Sequence, residues 1–502
     1  MRILPEIKSL NTSMPAKKFF EGGTNKRFPP NFWYVASLFA IIALSLILAA
    51  TLSLLGIKYV ILMLVILIAI PTVFCIVAFP KFGILVILIS SYFIMWVIRM
   101  GVNFPLGTIM DGIQALLIFG FFLKQKFHPN WDLLKTPIAI IILIWEAYNL
   151  LQVANPTAES RMAWLYTVRS VAVVTLMYFI FSYHIKTISF VRVILKTWMV
   201  LTFIGALNAF KQQHFGFFAF EEANFNDPLV QSLLFINGEW RKFSIFSDPV
   251  SFSYNMAIGT IFCICMVTSP KPLKQKVIYF LLGCFFTTTM LYSATRAAYV
   301  LLPAAMVFYV VLNLNRKVLA LGIIGGIIFA GIVYVPTSNP TLYRFQSAFK
   351  PSEDASFNVR KQNQKFIQPY IQTHPFGGGL GATGAWGVKF APHSFLAQLP
   401  PDSTYLRVAV ELGWVGLLLL CTLFFVVIRQ GIKNYFRIRD PELKSYCLAM
   451  TLIIFALNVG SYPQESLVQF PINIYFYFFI SMINITLNLD KAKQETGVAS
   501  LQ

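Results

Sequence analysis

The amino-acid sequence predicts an all-α polytopic membrane protein, and three observations carry that prediction. Apolar residues fill 57% of the 502 positions and only 12% are charged, well above the apolar share and about half the charged share usual for soluble domains. The apolar residues gather into about fourteen runs of roughly 17 to 25 residues, the length a helix needs to cross the hydrocarbon core. Lysine and arginine collect between alternate runs, as they do in loops that stay in the cytoplasm. Helices are the elements that fit such runs in lipid, because a helix satisfies its backbone polar groups internally.

The runs lie near 34–56, 59–79, 82–98, 105–123, 133–153, 165–184, 188–209, 249–268, 277–294, 298–314, 318–335, 405–428, 445–462 and 467–487. The chain then divides into a basic tail (1–30), helices one to eleven (31–335), a long polar loop (336–404), helices twelve to fourteen (405–487) and a second tail (488–502). The first tail is basic and not continuously apolar, so it reads as a retained cytoplasmic segment and not a cleaved signal. Alternation from a cytoplasmic N-terminus puts Lys81, Lys124, Lys126, Lys186, Lys271, Lys274, Arg316, Lys317, Arg429, Lys433 and Arg437 inside. The short outward connections GIK, NPTAESRMAW and SYPQE carry one, one and no basic residues, in line with the positive-inside rule. Both termini are then cytoplasmic and the 336–404 loop faces outward.

The same rule accounts for the net charge of +20, from 40 Lys and Arg against 20 Asp and Glu. No basic helix or aromatic-basic RNA motif stands out, so nucleic acid is not an expected partner. The six cysteines all fall in apolar runs and read as small buried hydrophobes, without a disulfide framework or a metal-ligand spacing. No internal repeat is evident. In the first half Asp111 and Glu146 are the only acids that fall within spans, fewer than a transporter with paired broken helices would need.

Basic residues on the outward side are informative because orientation does not demand them there. Arg161 and Arg169 border one outward loop; Arg241 and Lys242 lie in the next; Arg296 sits at an outward helix junction; Arg344, Arg360 and Arg407 belong to or border the long loop. Guanidiniums bind phosphate oxygens bidentately and stay charged, so a cluster at a membrane surface suits a lipid-linked phosphate or diphosphate. Taken singly, each is more simply a snorkelling or ion-paired side chain. The stretch THPFGGGLGATG, from Thr373 to Gly384, allows close backbone approach. Its N–H groups could form an anion nest, although a plain re-entrant or surface loop is the simpler reading. In PPDSTYL, Asp402 or Ser403 suits the N-cap of the following helix. Asp402 could also accept a hydroxyl proton, with His393 a rival base of more neutral pKa. Glu411, about two turns on, reads as one half of a structural ion pair.

Together these stretches resemble the O-antigen ligase and polymerase superfamily of bacterial membrane glycosyltransferases. That family pairs an Arg before a D/N-P element with a Ser/Thr-Arg at an outward junction. Its long loop holds an Arg, then HP-x-G-x-G-x-G, then a polar residue before YL-x-x-x-x-E-x-G-x-x-G. Here the corresponding residues are RKFSIFSDP from Arg241, SATR ending at Arg296, Arg360, HPFGGGLG from His374, and DSTYLRVAVELGWVG from Asp402. The match runs over roughly 195 to 465. Any one motif is weak, whereas four in order on one membrane face are specific.

The resemblance implies a GT-C-like fold and an inverting glycosyl transfer without metal or other cofactor, from an undecaprenyl-diphosphate-linked saccharide at the outer face of the bacterial cytoplasmic membrane. The acceptor would be a saccharide, lipid or protein. Arg241, Arg296 and Arg360 would hold the diphosphate, with Arg169, Arg344, His374, His393 and Tyr405 as further substrate-binding candidates and Asp402 as the catalytic residue. Ligases that attach O-antigen to lipid A–core usually carry histidine where this chain has Asp402. The departure favours a repeat-unit polymerase over a ligase or a protein oligosaccharyltransferase. A transporter or flippase for a lipid-linked saccharide is the alternative of another class, and it would need its charges reachable from both sides.

Overall fold

The computed structural model describes Ser45 and residues 57–102, 105–223, 225–236, 238–338, 340–349, 355–400 and 403–499. The predicted first span and the tail before it otherwise lie outside the described residues. The chain forms two compact units, Met1–Thr72 and Val73–Gln502. In the first, residues 57–72 are helical.

Helices dominate the second unit. Ten of the described helices are long and apolar enough to cross a membrane, from Pro80–Arg99 to Ile472–Glu495. The apolar runs near 277–294 and 298–314 also form helix, as Leu273–Tyr292 and as Arg296–Tyr299 followed by Leu301–Leu312. The starts of these helices are written locally. Thr136, Ser160, Thr187, Asp248 and Asp440 each cap the helix that follows by accepting a hydrogen bond from its first turn. After Thr136, Asp248 and Asp440 a proline takes the first helical position, where its missing N–H costs nothing.

Three helices make the centre. Pro249–Thr268, Ile472–Glu495 and Pro441–Gly460 bury 83%, 78% and 72% of their apolar windows, whereas Arg316–Tyr334 buries 6% and lies at the rim. Side-chain hydrogen bonds join helices within this core: Thr175 donates to Tyr477 at 2.9 Å, and Asn434 donates to the Ile483 carbonyl at 2.8 Å. Such bonds give neighbouring helices a fixed register where apolar packing alone is nondirectional. Burial of the cysteines is uneven. Cys263, Cys265 and Cys447 are buried, but Cys284 and Cys421 are exposed on outward helix faces, because an apolar run in a membrane helix has a face that touches lipid as well as one that touches protein.

One helix departs from its apolar pattern. The sequence runs a single span over 405–428, but the chain forms Thr404–Glu411, breaks at Leu412, and restarts as Gly413–Arg437. Gly413 has φ +69°, the left-handed conformation that ends helices and that glycine adopts at least cost.

Candidate active site

The loop between the helices Ile188–His214 and Pro249–Thr268 carries Arg241 on a rigid mount. Phe235–Ile236 pairs antiparallel with Glu239–Trp240, and the next residue, Arg241, donates its backbone N–H to the Leu234 carbonyl. Its guanidinium donates from Nε to the Ser293 carbonyl (3.0 Å), from Nη1 to the Leu233 carbonyl (3.1 Å) and from Nη2 to Thr295 Oγ1 (2.9 Å). The Thr295 hydroxyl donates onward to the Pro249 carbonyl at 3.2 Å. Two motifs far apart in sequence, the one from Arg241 to Pro249 and SATR, are therefore one hydrogen-bonded assembly. Three of the five N–H groups of Arg241 are used in holding it, which leaves two for another partner.

That assembly gathers like charges. Arg296 opens the short helix after Thr295, and Arg344 lies on Pro340–Ser347, which packs beside it through the Tyr299 and Phe345 rings at 5.3 Å. Arg241, Arg296 and Arg344 all act electrostatically on the Tyr299 hydroxyl. Burial, followed by the neighbouring Arg344, pushes the Arg241 pKa down to about 10. Burial likewise lowers that of Arg344, and Arg296 adds to it. Crowding three guanidiniums costs free energy unless something anionic offsets it.

The other candidates have partners of their own. Arg360, on Ala355–Thr373, acts on the hydroxyl of Tyr254, which donates to the Gly460 carbonyl at 2.8 Å. Arg169 pairs with Asp111 at 3.4 Å and lies over the Tyr166 ring. His374 stacks on Tyr370 with centroids 4.0 Å apart, its Nδ1 3.0 Å from the Tyr370 carbonyl. His393 is exposed. Tyr405 donates to Asn458 and borders an apolar groove of about 630 Å³ walled by Phe424, Phe425 and Ile428. Asp402 lies outside the described residues. Its neighbour Ser403 caps Thr404–Glu411 and donates to the Ser461 carbonyl at 3.2 Å.

The glycine stretch is a nest for an anion that belongs to the chain. Glu411, 2% exposed, accepts from the N–H of Gly381 (3.0 Å), the N–H of Thr383 (3.2 Å), the Thr383 hydroxyl (2.5 Å) and Arg407 Nε (3.2 Å). Arg407 also reaches Glu465 at 3.2 Å. Burial alone would lower the Arg407 pKa, but Glu411 and Glu465 outweigh it and hold the guanidinium above its ordinary value. The N–H groups of Gly378 and Gly379 satisfy the Val410 and Glu411 carbonyls that the helix break leaves open. A side chain on Gly381 (φ +84°) would put its Cβ 2.2 Å from Thr167 Oγ1, and one on Gly413 would sit 2.0 Å from the Pro375 carbonyl oxygen. The HP-x-G-x-G-x-G and E-x-G patterns thus describe two halves of one joint, and the structural reading of Glu411 matches it.

A cavity of about 430 Å³ opens beside Arg241, with Arg99, Glu221, Asp248, Gln464 and Glu465 also in its wall. Arg99 has no part in the motifs. It ends the helix Pro80–Arg99, lies over the Phe243 ring with Cζ 3.9 Å from the centroid, and donates from Nη2 to the Ser247 carbonyl. A signal for it was present, since Arg99 follows the third apolar run on the side assigned outward, where basic residues are unexpected.

The helical bundle defines a multi-pass membrane protein, and its motifs define the class more narrowly. Residues 279–421 match the family model described as O-antigen ligase, a stretch that holds Arg296, Arg344, Arg360, the glycine joint and Glu411. The match supports the O-antigen ligase and polymerase superfamily, a family whose description suggests a membrane glycosyltransferase-like role in polysaccharide assembly. No curated protein matches the chain. Arg99 and Arg241 precede the matched stretch, so the cavity they share with Glu465, and the nearness of Arg241 to Arg296, are known from the tertiary structure.

Proposed function

We propose that this protein transfers a saccharide from an undecaprenyl-diphosphate carrier to an acceptor hydroxyl at the outer face of the bacterial cytoplasmic membrane, and that it polymerises repeat units of a cell-surface polysaccharide. The observation that carries the reading is the grouping of Arg241, Arg296 and Arg344 around Tyr299, with Arg241 opening on a polar cavity. Guanidiniums gathered at one place suit the charge that appears when a glycosyl–diphosphate bond breaks. The acceptor oxygen attacks the anomeric carbon with inversion, the bond to the diphosphate oxygen breaks, and that oxygen leaves with the electron pair. Arginines already in position stabilise the leaving diphosphate without reorganising. The acceptor proton passes to a general base, and Asp402 is the residue assigned to that role. A carboxylate is a weak base, so it takes the proton late, as the oxygen becomes acidic.

In this reading both termini are cytoplasmic and the 336–404 loop faces outward, supported by the charge pattern of the loops. The aspartate at 402, where ligases usually carry histidine, supports a saccharide acceptor. The full-length protein in liposomes, given a lipid-diphosphate oligosaccharide, should release free lipid diphosphate and lengthen the glycan. Arg241→Ala and Arg296→Ala should each stop both. Asp402→Asn should slow turnover by a larger factor than His393→Ala. Intact turnover in both arginine variants, together with lost movement of the lipid-linked saccharide across the vesicle wall, would make the protein a flippase instead.

A further inference from the structure

The wall of the cavity beside Arg241 contains three carboxylates, and each already has donors. Asp248 accepts from the N–H groups of Val250 and Ser251 and from the Ser247 hydroxyl. Glu221 accepts from Gln212 at 3.0 Å and from the Phe218 N–H at 2.9 Å. Glu465 accepts from Arg407. None of the three is within ion-pair distance of Arg99 among the described residues, although Glu221 and Asp248 act on it from further off.

Arg99, like Arg241, is incompletely bonded among the described residues, and its open N–H is buried. Its Nη2 is taken by the Ser247 carbonyl, but Nη1 is buried and has no hydrogen-bond partner among the described residues. A buried N–H left unpaired carries the full cost of its lost hydration, and more when charged. Its place at a helix C-terminus favours a cation there but supplies nothing to Nη1. The ring of Phe243 fixes the guanidinium plane from one face, so the planar fork is held in one orientation before any ligand arrives. A fixed guanidinium with an open N–H in a polar cavity matches the oxygens of a phosphate.

We infer that Arg99 is a second guanidinium contact for the phosphate oxygens of the lipid-diphosphate leaving group, in the same cavity as Arg241. The inference rests on the glycosyl-transfer reading above, and it assigns a binding role to a residue outside the O-antigen ligase match. Arg241 comes from the second outward loop and Arg99 from the end of an early helix, so the two would hold the leaving group from separate elements.

The test uses the full-length protein in liposomes, with lipid-diphosphate oligosaccharide as donor and inorganic pyrophosphate as competing anion. Arg99→Gln should raise the donor KM about tenfold or more and weaken pyrophosphate inhibition by a similar factor, while the acceptor KM stays within about twofold of wild type. Arg99→Lys, which keeps the charge but not the fork, should fall between the two on both readings. A purely structural Arg99 would lower the melting temperature and the amount of active protein but leave pyrophosphate inhibition of the active fraction unchanged. Should Arg99→Gln fail to fold, the lysine variant decides: unchanged donor KM and unchanged inhibition would overturn the inference. If Arg241→Ala abolishes turnover while the Arg99 variants bind donor and pyrophosphate as wild type does, the inference falls and the glycosyl-transfer reading stands. If the Arg241 variant also turns over normally, that reading falls with it.

Discussion

Two arginine-containing clusters in this protein are built in opposite ways. Around Glu411, charges are closed: Arg407 lies between Glu411 and Glu465, and the carboxylate of Glu411 also takes two backbone N–H groups and a hydroxyl. Around Tyr299, like charges gather: Arg344 and Arg296 act on Arg241, Arg296 acts on Arg344, and all three act on one phenol, with Asp248 and Glu239 acting on Arg241 and Arg344 in the opposite sense. Both clusters draw on residues distant in sequence, so distance alone does not mark a site. The difference is in the remaining capacity. A cluster whose donors and acceptors are used up holds the fold together, whereas one that gathers like charge, with two N–H groups of Arg241 to spare among the described residues, is fitted to receive an anion.

If that contrast is right, the two clusters should break in different ways. The largest loss should come from Glu411→Ala, which strands Thr383 and the nest N–H groups and leaves Arg407 with one carboxylate in a buried setting. Removing one partner of a buried, hydrogen-bonded pair costs about 3–5 kcal/mol, to be seen as a steep fall in melting temperature in detergent, with activity lost as a consequence. Retained melting with lost turnover would instead put Glu411 in the chemistry and undo the comparison.

Arg241→Ala should show the reverse pattern. Loss of one preorganised donor to a developing anion costs about 10²–10³ in turnover, while the melting temperature, which the lost bonds to Ser293, Leu233 and Thr295 lower, should fall less than in the Glu411 variant. A melting temperature that falls as far as in the Glu411 variant would make Arg241 a clasp for the SATR turn and not a ligand contact.

Gly413→Ala sharpens the first half of the contrast. The added Cβ meets the Pro375 carbonyl in a conformation at φ +69° that L-residues adopt at a cost, so about 1–3 kcal/mol of stability should be lost without a specific change in donor KM. His393→Ala should have the smallest effect. His393 is exposed, and a surface substitution of this kind shifts stability by about 0.5 kcal/mol or less. A large loss of turnover in that variant would return His393 to consideration as the base.

The spans of this protein were legible because a run of apolar residues long enough to cross lipid leaves few alternatives to helix. Caps and proline starts at Thr136, Asp248 and Asp440 set several of the boundaries. The site was legible in part. Arg241, Arg296 and Arg344 were all marked by lying outward where positive charge is unexpected, but their common neighbour Tyr299 carried no mark. Glycines near Gly381 signalled a backbone nest without saying which anion fills it, because that anion is a side chain thirty residues on, brought back by a helix break. The 405–428 run hid that break, since hydropathy does not register a single left-handed glycine.

By itself, then, the sequence determined the class of protein, most of its helical runs and the pool of candidate cations, because hydrophobic length and loop charge act locally along the chain. Only the tertiary structure decided which cations meet and which are neutralised. Charges are paired across the bundle by side chains from separate helices, and one residue with no motif around it, Arg99, enters the cavity solely through where its helix ends.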